Sequence, residues 1–183
     1  IGLEGQDVRV LAVQADGPRS FLWAGTAAAG GEPGHGCFRW ELRGAEHPPE
    51  GWQAFGAKWD GGSCRSLAFV ESQVWAATHR AGVLRLDAGA REPVWGMPDV
   101  RCGLPLRDPG RFHPVDTVAA DPAQRLLMAG GVEGVYRSRD GGERYEPASE
   151  CEFADKVTLP PTWLFCSGQH DVTVEKEDEA ERD

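Results

Sequence analysis

The chain lacks any apolar run long enough to cross a membrane as a helix. Nothing in its 183 residues approaches the roughly 18 consecutive apolar positions required. It is also short of basic charge: 19 Lys and Arg stand against 29 Asp and Glu, a formal charge of -10. Broad nucleic-acid binding needs basic surface to neutralise phosphate, so that class is set aside. Lys is scarce, because 16 of the 19 cations are Arg. With abundant Ala and Gly, this composition points to a high-GC bacterial gene. No Cys-x-x-Cys pair exists, and the five cysteines (Cys37, Cys64, Cys102, Cys151 and Cys166) are odd in number. Reduced thiols in a cytosolic protein are therefore expected. The alternative is a Cys102–Cys151 bridge in an exported, extracellular or particle-associated protein. No basic-then-apolar leader precedes the first strand run, and the chain starts at Ile1, so a processed chain or a part of a longer one is expected. A Gly-x-x-x-x-Gly-Lys phosphate loop and a Gly-x-Ser-x-Gly elbow are both missing. No cofactor is assigned.

What the chain has in quantity is turn formers: 24 Gly and 13 Pro, spread throughout. They favour many short elements over long helices. Seven Trp against two Tyr and two Met suit a sheet-rich core. The strand runs repeat. Val8–Val13, Phe21–Thr26, Cys37–Leu42 and Trp52–Phe55 form one set. Cys64–Val70, Gln73–Thr78, Gly82–Leu86 and a weak Pro93–Trp95 form a second. Val115–Ala120, Arg125–Gly131, Gly134–Ser138 and a return at Tyr145 form a third. A fourth begins with Val157–Leu159, Thr162–Gly168 and Asp171–Val174. One slot holds small residues each time: Trp-Ala-Gly-Thr26, Trp-Ala-Ala-Thr78, Met-Ala-Gly-Gly131 and Phe-Cys-Ser-Gly168. The sets start 56, 51 and 42 residues apart, close to one four-stranded unit each.

The third set carries the sharpest local signal, Ser138-Arg139-Asp140-Gly141-Gly142-Glu143-Arg144-Tyr145. Asp-Gly-Gly supplies a tight hairpin corner. Ser138 and Asp140 can bond to turn amides, and Tyr145 can pack back over the turn. Ser138, Asp140, Gly142 and Tyr145 match the pattern Ser/Thr-x-Asp-x-Gly-x-x-aromatic. The segment thereby resembles the Asp-box of sialidase-like, BNR-repeat β-propellers. It departs from that family in having Arg144 where a Thr is usual and Tyr145 where a Trp is usual. Lys58–Gly62 and Asp87–Gly89 resemble only fragments of the box. In the family the box is a structural corner away from any active site, so the resemblance implies fold more than function.

The expected fold is all-β: a β-propeller, or part of one, of about four blades built from four-stranded antiparallel sheets. The propeller would cover residues 1–174, with blades at about 8–57, 64–96, 115–147 and an incomplete 157–174. Residues 175–183, six acids against Lys176 and Arg182, form an acidic tail. An incomplete propeller exposes sheet edges and apolar faces that partners should cover.

Catalysis finds little support. Glycosidases need two carboxyl groups across the bond they cut, and Asp60, Glu71 and Asp116 are acids near strand ends with nothing to pair them. The sialidase resemblance would also require a Tyr nucleophile and three Arg. Tyr136 and Tyr145 both belong to the corner hairpin instead. No catalytic residue is assigned. His35 with Cys37, and Cys166 with His170, fall short of the paired spacings of a four-ligand zinc site, and no metal is assigned. Arg39, Arg85 and Arg137 recur at one register and could form a basic ring, or simply cover apolar strand surface with their stems. The expected function is a non-catalytic interaction module within a larger bacterial protein or assembly, such as a phage-tail-like contractile particle. Its partners would be other protein subunits or the rest of a longer chain, met through loops 27–36, 43–51 and 96–114. Trp52, Trp59 and Trp95 are the candidate anchors, with a place in the core as the alternative for each. The alternative is a carbohydrate-binding or glycoside-hydrolase-like propeller.

Overall fold

A computed structural model describes residues 2–29, 32–43 and 51–148. The chain divides into two compact units, Ile1–Ala148 and Ser149–Asp183, and only the first contains described residues. The expected fourth set at 157–174 and the tail at 175–183 lie outside them, as does Cys151.

The described residues are all-β, with no helix. β1 (Val8–Asp16), β2 (Arg19–Thr26), β3 (Cys37–Arg43) and β4 (Gln53–Phe55) form a four-stranded antiparallel meander. β5 (Cys64–Val70), β6 (Gln73–Thr78) and β7 (Val83–Asp87) form a second sheet. A short hairpin follows, β8 (Leu106–Asp108) with β9 (Arg111–Phe112). A third meander takes β10 (Thr117–Asp121), β11 (Leu126–Gly131), β12 (Gly134–Ser138) and β13 (Glu146–Pro147). The first strands sit side by side, with β5 between β1 and β10. No ring closes among the described residues.

Two details differ from the expected four strands per sheet. The second sheet has three strands, and its fourth position is reduced to one bridge, Arg85 to Gly96. Pro93 lies in that segment without an amide hydrogen to give to a ladder. The 96–114 stretch, expected as an open loop, forms the β8–β9 hairpin and buries Cys102, Leu104 and Phe112 in a core. Those apolar residues are too widely spaced to read as a strand from sequence.

Sheet-to-sheet packing repeats as the residues do. One core cluster joins Phe21, Trp23 and Phe55 of the first sheet to Leu67, Val74 and Leu84 of the second. Another joins Trp75, Ala77 and Val83 of the second to Val118, Leu127 and Ala129 of the third. The first two sheets share a bulge near the start of their first strand, between Val8 and Val10 and between Cys64 and Ser66. The small-residue slot earns its composition at Gly25, where a Cβ would stand 2.5 Å from Cys64 Sγ. Thr26 and Thr78 end that slot alike, their hydroxyls donating to Gly36 and Gly82 carbonyls at 2.9 and 2.8 Å.

Candidate functional site

The corner after β12 is a closed network. Ser138 Oγ accepts the Gly142 amide at 2.8 Å and donates to Asp140 Oδ1 at 2.8 Å. Asp140 Oδ1 accepts the Arg144 amide at 2.9 Å. Gly141 and Gly142 have φ of 77° and 94°, which glycine adopts without steric cost. The corner is seated on the second sheet: Trp75 Nε1 donates to the Gly141 carbonyl at 2.9 Å, and Arg85 pairs with Glu143 at 2.7 Å. A simpler corner follows β7, where Asp87 Oδ1 accepts the Ser72 hydroxyl and the Gly89 amide, both at 2.9 Å.

These bonds shape the carboxyl groups. Burial pushes Asp140 upward, but the Arg144 amide and the Ser138 hydroxyl outweigh it and hold the pKa below the ordinary 3.8. For Asp87 the Gly89 amide, then the Ser72 hydroxyl, lower it from the same value. A depressed folded-state pKa stabilises the fold above the unfolded-state value and is lost as pH falls through the folded one. The urea midpoint should therefore decline between about pH 4 and pH 2, and less steeply in an Asp87→Asn/Asp140→Asn variant. Equal slopes would mean that neither corner titrates as described.

Tyr145 closes the corner as an apolar wedge, 6% exposed. Burial pushes its phenol pKa up, with Cys102 beside it adding to the effect. Its hydroxyl is buried without a hydrogen-bond partner among the described residues. Tyr145→Phe removes that unpaired group and should stabilise the fold by up to about 1 kcal/mol. Thermal unfolding checks this, and a lowered midpoint would show that the hydroxyl is bonded.

The candidate anchors part ways. Trp59 and Trp95 are 6% and 2% exposed, packed edge-to-face with centroids 5.1 Å apart. Their indole N–H groups donate to the Gly62 and Phe55 carbonyls at 3.0 and 2.9 Å. They are core residues, which corrects the anchor reading for both. Trp52 is half-buried against Trp40, with centroids 5.6 Å apart. Both line a groove of about 410 Å³ with Gly2, Leu3, Phe38 and Gly51.

The three arginines do share a register, opposite Trp23, Trp75 and Met128 respectively. Each is engaged locally. Arg39 stacks over Phe21, Phe55 and Trp23 at 4.4, 4.9 and 5.6 Å and bonds Gln53 Oε1 at 2.8 Å. Burial, then Arg19, lowers its pKa from the ordinary value. Arg85 meets Glu143, and Arg137 meets Glu146 at 2.8 Å. Arg39 and Arg137 brace their own sheets and Arg85 ties the second sheet to the corner of the third, and these separate partners replace the basic-ring reading.

Two of the candidate acids have arginine partners of their own. Asp60 pairs with Arg80 and Asp116 with Arg65, while Glu71 sits exposed in the turn between β5 and β6. The Tyr136 hydroxyl donates to the Glu133 carbonyl at 3.3 Å. Among the described residues no three His, Cys, Asp or Glu side chains gather as a metal site. Cys37 and Cys64 are unbridged thiols 3.8 Å apart and fully buried. Burial, then the neighbouring Cys64, raises the Cys37 pKa.

Exposed apolar faces were expected from sequence without a location, and one lies on the first sheet. Leu11 and Val13 are each 63% exposed on β1, with half-buried Phe38 and Trp40 on β3. The matching positions Leu67 and Val118 of the second and third sheets are covered, at 9% and 5% exposure, and the sequence carries no mark of that difference. The chain matches no protein-family model and no curated protein sequence.

Proposed function

We propose that this chain is a non-catalytic interaction module of the Asp-box β-propeller type, acting as a subunit or segment of a larger assembly. The observation that carries the reading is the exposed apolar face on β1 and β3 of the first sheet. The Ser138–Asp140–Gly142 corner, seated on Trp75, supports the propeller type. An exposed apolar face of this kind costs solubility unless a protein surface covers it. Asp60 and Asp116 are each taken up in an ion pair with a different arginine, an arrangement suited to surface structure.

The test is native mass spectrometry on complexes that the intact chain forms in its source organism, compared with a Leu11→Asp/Val13→Asp variant. A complex of fixed stoichiometry that the variant loses supports the module. Turnover of glycoside substrates by the intact chain would overturn it. The second reading, a carbohydrate-binding propeller, is favoured by the Trp40–Trp52 groove, because indole faces stack on sugar rings. Glycan-array binding that Trp52→Ala abolishes would choose it.

A further inference from the structure

Between the first and second sheets the fold sets two thiols against each other. Cys37 opens β3, where it pairs with Gly25 of β2 and Phe55 of β4. Cys64 opens β5 at a bulge, a feature that turns a side chain off the regular alternation. Their Sγ atoms lie 3.8 Å apart, and both residues are 0% exposed. Gly25 makes the approach possible: a Cβ on it would meet Cys64 Sγ at 2.5 Å and Cys64 Cβ at 2.8 Å.

The next joint fills the same two positions without sulfur. Cys37 stands two residues before Arg39, as Val83 stands two before Arg85 in the shared register. Cys64 stands two before Ser66, which faces Ala77, as Val115 stands two before Thr117, which faces Gly130. Val83 and Val115 are 3% and 4% exposed in the core that joins the second and third sheets. Cys102 belongs to that second core, away from the pair. Apolar side chains therefore suffice for packing at these positions, and the first joint has a matched pair of cysteines instead. A disulfide needs its sulfurs about 2.0 Å apart. These two are already in van der Waals contact, so nothing stands between them.

We infer that Cys37 and Cys64 join as a disulfide when the chain folds in an oxidising compartment, cross-linking the first sheet to the second through their shared core. The oxidant is a small-molecule disulfide such as oxidised glutathione. The thiolate of one cysteine attacks a sulfur of the oxidant, expels one glutathione thiolate and leaves a mixed disulfide. The thiolate of the other attacks the protein sulfur of that mixed disulfide, and the second glutathione thiolate leaves. The chain gives up two electrons and two protons, and the oxidant takes them up as two thiols. The exchange belongs to folding rather than to the finished fold. Closed packing leaves an attacking disulfide no access, and burial raises the Cys37 pKa and so suppresses its thiolate. The same burial shields the finished bridge from reductants. In a reducing compartment the pair stays as two thiols.

The test is to unfold and reduce the intact chain in urea and refold it in an oxidising glutathione mixture. Free thiols are then blocked and linked peptides of the folded fraction mapped by mass spectrometry. The expected result is the Cys37 peptide linked to the Cys64 peptide. The bridge closes a loop between residues 27 apart, so it should raise the urea midpoint by about 1–2 M over the chain refolded in dithiothreitol. Cys37→Val/Cys64→Val copies the next joint and should show one midpoint in both buffers. Recovery of Cys37 and Cys64 as blocked thiols overturns the inference, as does either one linked to Cys102, Cys151 or Cys166. A Cys37–Cys64 link that lowers the midpoint overturns it too, because the bridge would not fit the fold. So does a valine variant whose midpoint rises as much as that of the wild type, which would assign the stabilisation to the other cysteines. Should that variant fail to fold, the peptide map and the two wild-type midpoints decide alone.

Discussion

Trp23→Ala should destabilise the fold by about 3–5 kcal/mol, the range for emptying a large aromatic site in a core. Trp23 is fully buried, with Phe55 at 4.9 Å and Phe69 at 5.9 Å between ring centroids. Its indole N–H donates to Gln14 Oε1 at 2.7 Å, and Gln14 Nε2 passes the chain on to the Glu71 carbonyl. That relay ties the first sheet to the β5–β6 turn, as Trp75 ties the second to the Gly141 carbonyl. Removing the ring also leaves the buried Gln14 carbonyl oxygen without its donor, an added cost of about 1–3 kcal/mol. Since domains are stable by only about 5–15 kcal/mol, the variant should lie near the edge of folding. Trp23→Phe keeps much of the volume and loses the hydrogen bond, so it should cost less, about 1–3 kcal/mol. Urea unfolding followed by circular dichroism separates the two. A loss below about 1 kcal/mol for Trp23→Ala would show that the sheets do not pack through this side chain.

Gly103→Ala should cost about 3 kcal/mol or more, far beyond an ordinary glycine replacement. Gly103 has φ of 95°, and a Cβ built on it would fall 2.0 Å from the Tyr145 carbonyl oxygen. The obstacle is backbone, so no rotamer change relieves it. The neighbouring bond from the Tyr145 amide to the Cys102 carbonyl, at 2.6 Å, holds the two segments together and must lengthen. Gly110→Ala is the matched control: φ is 80° there and nothing lies within 4 Å of the added carbon. It should cost only the left-handed backbone penalty, about 1–2 kcal/mol. Equal midpoints for the two variants would mean that the 96–114 segment is not seated on the corner.

The corner was legible because its chemistry is local. Ser138, Asp140 and Gly142 lie within five residues, and short side chains next to glycines bond to turn amides in few ways. The strands were legible for a similar reason: apolar runs and turn punctuation place Val8–Val13, Cys64–Val70 and Arg125–Gly131 without reference to the rest of the chain, within three residues of the observed β1, β5 and β11. The 96–114 segment was less so. Its burial depends on Cys102, Leu104 and Phe112 finding a cleft that Trp75, Val83 and Tyr145 build from elsewhere in the chain.

From sequence alone came the all-β class, the repeat, the shared arginine register and the Ser138–Tyr145 corner, since each follows from interactions a few residues apart. The tertiary structure alone decided which apolar side chains are core and which are surface. Trp59 and Trp95, the residues most conspicuous as anchors, went inside, while Leu11 and Val13, unremarked in a strand run, stayed outside. A strand that is apolar on both faces carries no mark of which face will be covered. That is set by whether another sheet lies against it, and in the described residues the second sheet has two such neighbours and the first has one.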